Sequence, residues 1–149
     1  MLLKDACTPE VVCCRGRTNA LEAAHLMRQK HVGDLVVVDA PDDERVPLGI
    51  VTDRDIVIEV LAKGLDPSTT SLTSVMHNPL VIALDSEDTG QVLERMRAHG
   101  VRRIPVVNSH GAAIGIVTLD DLLRLLVAEM NALFEVTDTG QRRERHLRR

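Results

Sequence analysis

The chain has 149 residues, 44% hydrophobic and 27% charged, with a net charge of −4. That is enough apolar side chain for a sizeable core, either in one compact unit or in two small halves sharing one. One Phe with no Trp or Tyr excludes base stacking on aromatic platforms, and the acidic balance argues against a general nucleic-acid surface.

The N-terminus, MLLKDACTPE, turns polar within five residues and lacks the long apolar stretch of a secretion signal. No apolar run approaches the roughly 20 residues that a membrane span needs, so the expectation is a soluble cytoplasmic protein. The stretch EVVC then predicts a short strand, on which the adjacent Cys13 and Cys14 point to opposite faces. With Cys7 they make an odd count, no CxxC spacing exists and the six His are scattered. The thiols therefore read as reduced and partly buried, and no metal site is predicted. An amphipathic helix follows over 19–30, with Ala20, Ala23, Ala24 and Met27 on one face. The β-branched run LVVVD (35–39) reads as a buried strand. The turn APDDERVPL, a strand over 48–52 and a helix over 53–63 complete the series.

After Gly64 and DPSTTS the order returns. LVIAL predicts a strand, 88–99 a helix with Val92, Leu93 and Met96 inward, and 104–108 a strand. The turn SHGAAI, a strand over 113–118 and a helix over 119–134 follow. MRQKHVGDLVVVD (27–39) aligns with MRAHGVRRIPVVN (96–108), and Cys7 with Met76, at an offset of 69. GIVTDRDI (49–56) aligns with GIVTLDDL (115–122) at an offset of 66. The three lost residues fall in the first turn, where a hairpin tip tolerates insertion. The fold class is therefore α/β: two β-α-β-β-α repeats, each marginal alone, packed sheet to sheet about a pseudo-twofold axis with two related clefts. The boundaries are 1–65 for repeat 1, 66–134 for repeat 2 and 135–149 for a tail. Residues 142–149 hold five Arg against one Glu, which leaves −8 on the rest of the chain. That tail reads as disordered or as a fraying extension of the last helix, with attraction to an acidic partner as its functional reading.

The repeated phrase carries the chemistry. Thr52 and Thr118 each stand where a strand enters a helix, with Asp55 and Asp121 three residues on. A Thr N-cap with an acid three residues later is close to a capping box, which alone would account for the pair. A cap needs neither Gly49 nor Gly115, however, and a helix N-terminus also favours an anion. A hydroxyl there can donate to a phosphate, and a carboxylate one turn in can accept from a ribose diol. The pair thus suits a nucleotide. Both phrases fit Gly, an apolar residue, any residue, Thr or Ser, two of any kind, then Asp or Asn. In this the chain resembles the cystathionine-β-synthase (CBS) domain family over about 2–134, including the lead-ins LLKDACTP and LTSVMHNP and the strand VRRIPVV.

The resemblance implies a tandem pair, often called a Bateman module, that binds an adenine nucleotide or related adenosyl ligand between its repeats: AMP, ADP, ATP, NAD(H) or S-adenosylmethionine. It implies a sensor, with no cofactor required and no catalysis. By matching positions, Asp55 and Asp121 would hold ribose hydroxyls, and Thr52 and Thr118, with Arg54, Arg102 and Arg103, would meet phosphate. Asp34 stands where the other repeat has Arg103 and would repel a phosphate. The expectation is therefore that the cleft using Thr118, Asp121 and Arg103 binds phosphate better. Without aromatics, an adenine ring would lie between aliphatic side chains, with Val12, Val81, Ile50 and Ile116 as candidates and plain core as the alternative. The closing helices, IVIEVLA and LLRLLVAEMNALF, are apolar most of the way round. Family members dimerise through these helices, so a homodimer is expected, acting in trans on an unknown protein. The alternative is a structural or redox-responsive interaction module that binds no nucleotide. An enzyme has little support: there is no Walker GK[ST], no G-x-S-x-G and no clustered Cys-His motif.

Overall fold

The computed structural model describes residues 1–40, 44–77 and 80–148. The tip of the first turn, at 41–43, and the last residue of the tail lie outside them. The first repeat contains β1 (Cys13–Arg15), α1 (Ala20–Lys30), β2 (Asp34–Val38), β3 (Pro47–Thr52) and α2 (Asp53–Ile56), which widens into a π-helical turn over Val57–Leu61. The second contains β4 (Ala83–Leu84), α3 (Thr89–His99), β5 (Arg103–Val107), β6 (Ala113–Thr118) and α4 (Leu119–Leu147). Each repeat forms its own three-stranded sheet, with its first pair parallel and its second antiparallel. Even the irregularity is repeated: the antiparallel register slips between Val37 and Val38, and between Val106 and Val107.

Local chemistry sets the helix ends. Asn19 and Glu22 form a capping box at the start of α1, and Asp88 and Gln91 do so at α3. Both helices close on a left-handed residue, His31 (φ 55°) and Gly100 (φ 64°).

The cores cross the repeat boundary. Leu3, fully buried, belongs to the core of the second sheet with Val92, Ile104, Val106, Val117 and Leu122. Leu72 and Val75 belong to the core of the first, with Leu35, Val37, Val51 and Val60. Each lead-in is thus lodged against the other repeat's sheet: Leu3 N–H donates to Glu87 O and Leu72 N–H to Thr18 O, both at 2.9 Å. Val36 and Val38 from one sheet and Ala113 from the other form a third, small core between them.

Of the two forms expected for the tail, disorder or an extension of the last helix, the structure has the helix. α4 runs unbroken to Leu147. No Pro interrupts it, an i,i+4 pair joins Glu144 to Arg148 at 2.8 Å, and Arg145 and His146 in the last turn suit the negative end of the helix dipole. Gly140 alone costs such a helix only about 1 kcal/mol. From Leu126 onward every described residue of the helix is exposed.

Candidate functional site

The two repeated junctions are built alike. Asp55 N–H donates to Thr52 Oγ1 at 3.1 Å, and Thr52 N–H donates back to Asp55 Oδ2 at 2.8 Å. At the second junction the same bonds measure 3.2 and 2.9 Å, and Thr118 Oγ1 also donates to Asp121 Oδ2 at 2.9 Å. Both are complete capping boxes, so the acid is fixed beside the helix mouth whether or not it meets a ligand. The glycines of the phrase have a separate cause. A Cβ on Gly49 would stand 2.6 Å from Met76 Sδ, and one on Gly115 would stand 2.7 Å from Thr8 O and 3.2 Å from Cys7 Sγ. Cys7 and Met76 are the repeat counterparts, so in each half a bare strand lets the other lead-in cross it. Backbone bonds hold that crossing at Thr8, which both donates to and accepts from Ile116 at 2.9 and 3.1 Å.

A cleft of about 540 Å³ opens at the Thr52 junction. Ile50, Thr52, Asp53 and Arg54 form one wall, His77 and Val81 an edge, and residues 99–103 of the other repeat the opposite wall. Six of the residues predicted for a nucleotide site thus meet in one place: Ile50, Thr52, Arg54, Val81, Arg102 and Arg103. Asp55 lies beneath the cleft surface, 8% exposed, with His77 Nε2 at 2.7 Å from its Oδ1. Ile116 is buried at 7% exposure, and Val12 packs against the first core.

The grouping of charges differs from the expectation. Arg103 faces Thr118 in strand register, yet its side chain reaches across to the other repeat and lines the cleft of Thr52. There its Nη1 donates to Asp34 Oδ2 at 2.5 Å. Asp34 and Arg103 occupy equivalent positions, 69 residues apart, so the pseudo-dyad brings each to the other. Opposite charges at one repeat position are an ion pair across the axis and not a difference between two clefts. Desolvation raises the Asp34 carboxyl above its ordinary value, with Arg103 pulling the other way.

Sequence reasoning missed both Asp34 as a partner and His77. The first had a signal, since its separation from Arg103 equals the repeat offset; the second had none. The three cysteines are free thiols, and burial raises all of them, Cys14 to about 12. Among the described residues no group of three His, Cys, Asp or Glu could hold a metal ion, and no helix is long and apolar enough to cross a membrane.

These paired sheets and glycine-led junctions define a tandem CBS architecture. The CBS domain model matches residues 3–62 and 72–128, and the chain belongs to the CBS domain family. It is 34% identical over 106 residues to the uncharacterized protein MK0525 of Methanopyrus kandleri, matching 71% of this chain but only about half, 53%, of that one. It is 35% identical over 123 residues to Hypoxic response protein 1 of Mycobacterium tuberculosis, covering 83% of each. The crystal structure of that protein, with two coordinated zinc ions, superposes with a TM-score of 0.72 at 33% identity over 83% of this chain and 98% of that one. The CBS domain pair of protein MJ0100, in complex with 5′-methylthioadenosine and S-adenosyl-L-methionine, superposes with a TM-score of 0.73 at 25% identity over 85% of this chain and 99% of that one.

Proposed function

We propose that this chain is a non-catalytic regulatory module that binds an adenine nucleotide or related adenosyl compound between its repeats. The observation that carries this is the Thr52 cleft. Its 540 Å³ falls within the roughly 300–1,000 Å³ of small-molecule sites. Thr52, Arg54 and Arg102 supply donors for phosphate, and Ile50 and Val81 supply apolar faces for a ring. Asp55 and Asp121 are the ribose carboxylates in this reading, with Thr118 serving the second junction. The MJ0100 pair, which holds adenosyl ligands, supports that ligand class. The test is thermal unfolding with adenosine, AMP, ADP, ATP, NADH, S-adenosylmethionine and methylthioadenosine in turn. A true ligand stabilises the native state by about 2.7 kcal/mol at one hundred times its Kd. If no compound moves the midpoint at millimolar concentration, the reading fails.

A second reading, an association module, is favoured by one observation. Val57, Ile58 and Leu61 on the first closing helix, and Leu123, Leu126, Val127, Met130, Leu133 and Phe134 on the last, are all exposed. So many apolar side chains mark an interaction surface. The two readings combine in a cytoplasmic homodimer whose ligand tunes its grip on a protein partner. Light scattering at micromolar concentration should give twice the chain mass, and Met130→Glu should return it to one.

A further inference from the structure

At the Thr52 cleft the lining side chain is His77 and not Asp55. Asp55 lies behind it at 8% exposure. His77 Nε2 is 2.7 Å from Asp55 Oδ1, and Asp55 Oδ2 accepts from Thr52 N–H at 2.8 Å. Both carboxylate oxygens are therefore engaged. The imidazole is 67% exposed, so it can rotate into water at little packing cost. The 69-residue offset makes Thr8 the counterpart of His77, and Thr8 is bonded through its backbone to Ile116. At that junction Asp121 Oδ2 takes both groups of Thr118, and Oδ1 has Arg124 at 4.0 Å. One repeat thus places a ring on its carboxylate where the other has a short side chain.

We propose that His77 is a resident competitor for the sugar diol in the Thr52 cleft, so that a ribose-bearing ligand enters by displacing the imidazole from Asp55. This rests on reading the cleft as an adenosyl site. A diol brings two hydroxyl donors to one carboxylate, and Oδ1 is the oxygen it needs. Displacement exchanges an imidazole–carboxylate bond for hydroxyl–carboxylate bonds, so affinity is lowered by the worth of the bond given up, about two- to tenfold at a partly exposed position. The difference between the two junctions lies in a side chain outside the repeated phrase, His77 in one and Thr8 in the other.

The experiment is a titration of the full chain and of His77→Ala with adenosine and with 2′,3′-dideoxyadenosine, followed through the amide signals of Gly100 and Val101, which line this cleft. His77→Ala should bind adenosine about two- to tenfold more tightly and leave the dideoxy analogue unchanged, because that ligand has no diol to compete for Asp55. His77→Thr, which copies the other repeat, should behave like His77→Ala. Weaker adenosine binding, an unchanged affinity or an equal gain for both ligands overturns the proposal: His77 is then a ligand contact, a bystander or a mere steric block. Signals that stay still with both ligands in all three proteins overturn the adenosyl reading itself, an outcome distinct from altered affinity.

Discussion

Gly49 and Gly115 show how a short motif can have two causes at once. The Thr and Asp that follow make a helix cap, while the Gly makes room for a chain crossing. The two glycines are not equally constrained, because Gly49 faces the Met76 side chain and Gly115 faces a carbonyl oxygen. The Met76 Sδ and Cγ can move by a change of rotamer, leaving only its Cβ at 3.1 Å, whereas Thr8 O belongs to the backbone and accepts from Ile116 N–H. Gly115→Ala should therefore destabilise by about 1–3 kcal/mol, as overpacking does, and by more than Gly49→Ala, measured by urea unfolding. Asp34 gives a prediction in pH. Its folded-state carboxyl lies above the ordinary 3.8, first because of desolvation. A raised carboxyl favours the protonated form in the native state, so its contribution is fully present below the unfolded value and is lost as pH rises through the folded one. Asp34→Asn, which still accepts from Arg103, should gain stability relative to the wild type between pH 3.5 and pH 7. A constant difference across that range would contradict the desolvation argument.

At the scale of elements, the left-handed ends of α1 and α3 form a natural comparison. Gly100 adopts its φ of 64° freely, while His31 adopts 55° with a Cβ in place. His31→Gly should stabilise the chain by up to about 1 kcal/mol, read as a rise in the urea midpoint at constant m-value, and Gly100→His should lower it. Strands and helices were legible in the sequence because their signals are local. Periodicity placed α1 and α3, and β-branched runs marked β2 and β5. The long α4 was legible only to Phe134, since apolar periodicity stops there while helix propensity continues. The grouping of the cleft was less legible. Thr52, Arg54, Ile50 and Val81 are legible as types suited to a nucleotide, but Arg103, expected with Thr118 and Asp121, lines the Thr52 cleft instead. Which wall a side chain serves is decided by the dyad, and a single repeat contains no information about its mate. The Asp34–Arg103 pair is the exception, because complementary charges at one repeat position announce an axis between them.

At the scale of the whole molecule, the exchange of lead-ins decides how the chain comes apart. Residues near a terminus are ordinarily dispensable, but Leu3 is fully buried among Val92, Ile104 and Leu122. Leu3→Ala should therefore cost about 2–5 kcal/mol, the range for a buried Leu. Leu72 plays the reciprocal part beside Leu35, Val51 and Val60. Each repeat's core thus contains a side chain delivered by a segment outside its own β-α-β-β-α unit, and neither can open fully without releasing part of the other. Coupling of this kind makes unfolding cooperative across the boundary. Urea denaturation followed by amide signals of Val36 and Val106, one buried strand residue from each sheet, should give a single shared midpoint. Leu3→Ala should lower both midpoints together, although Leu3 touches only the second core. Separated transitions, or a loss confined to Val106, would mean that the repeats fold independently and that the crossing of their lead-ins carries no coupling.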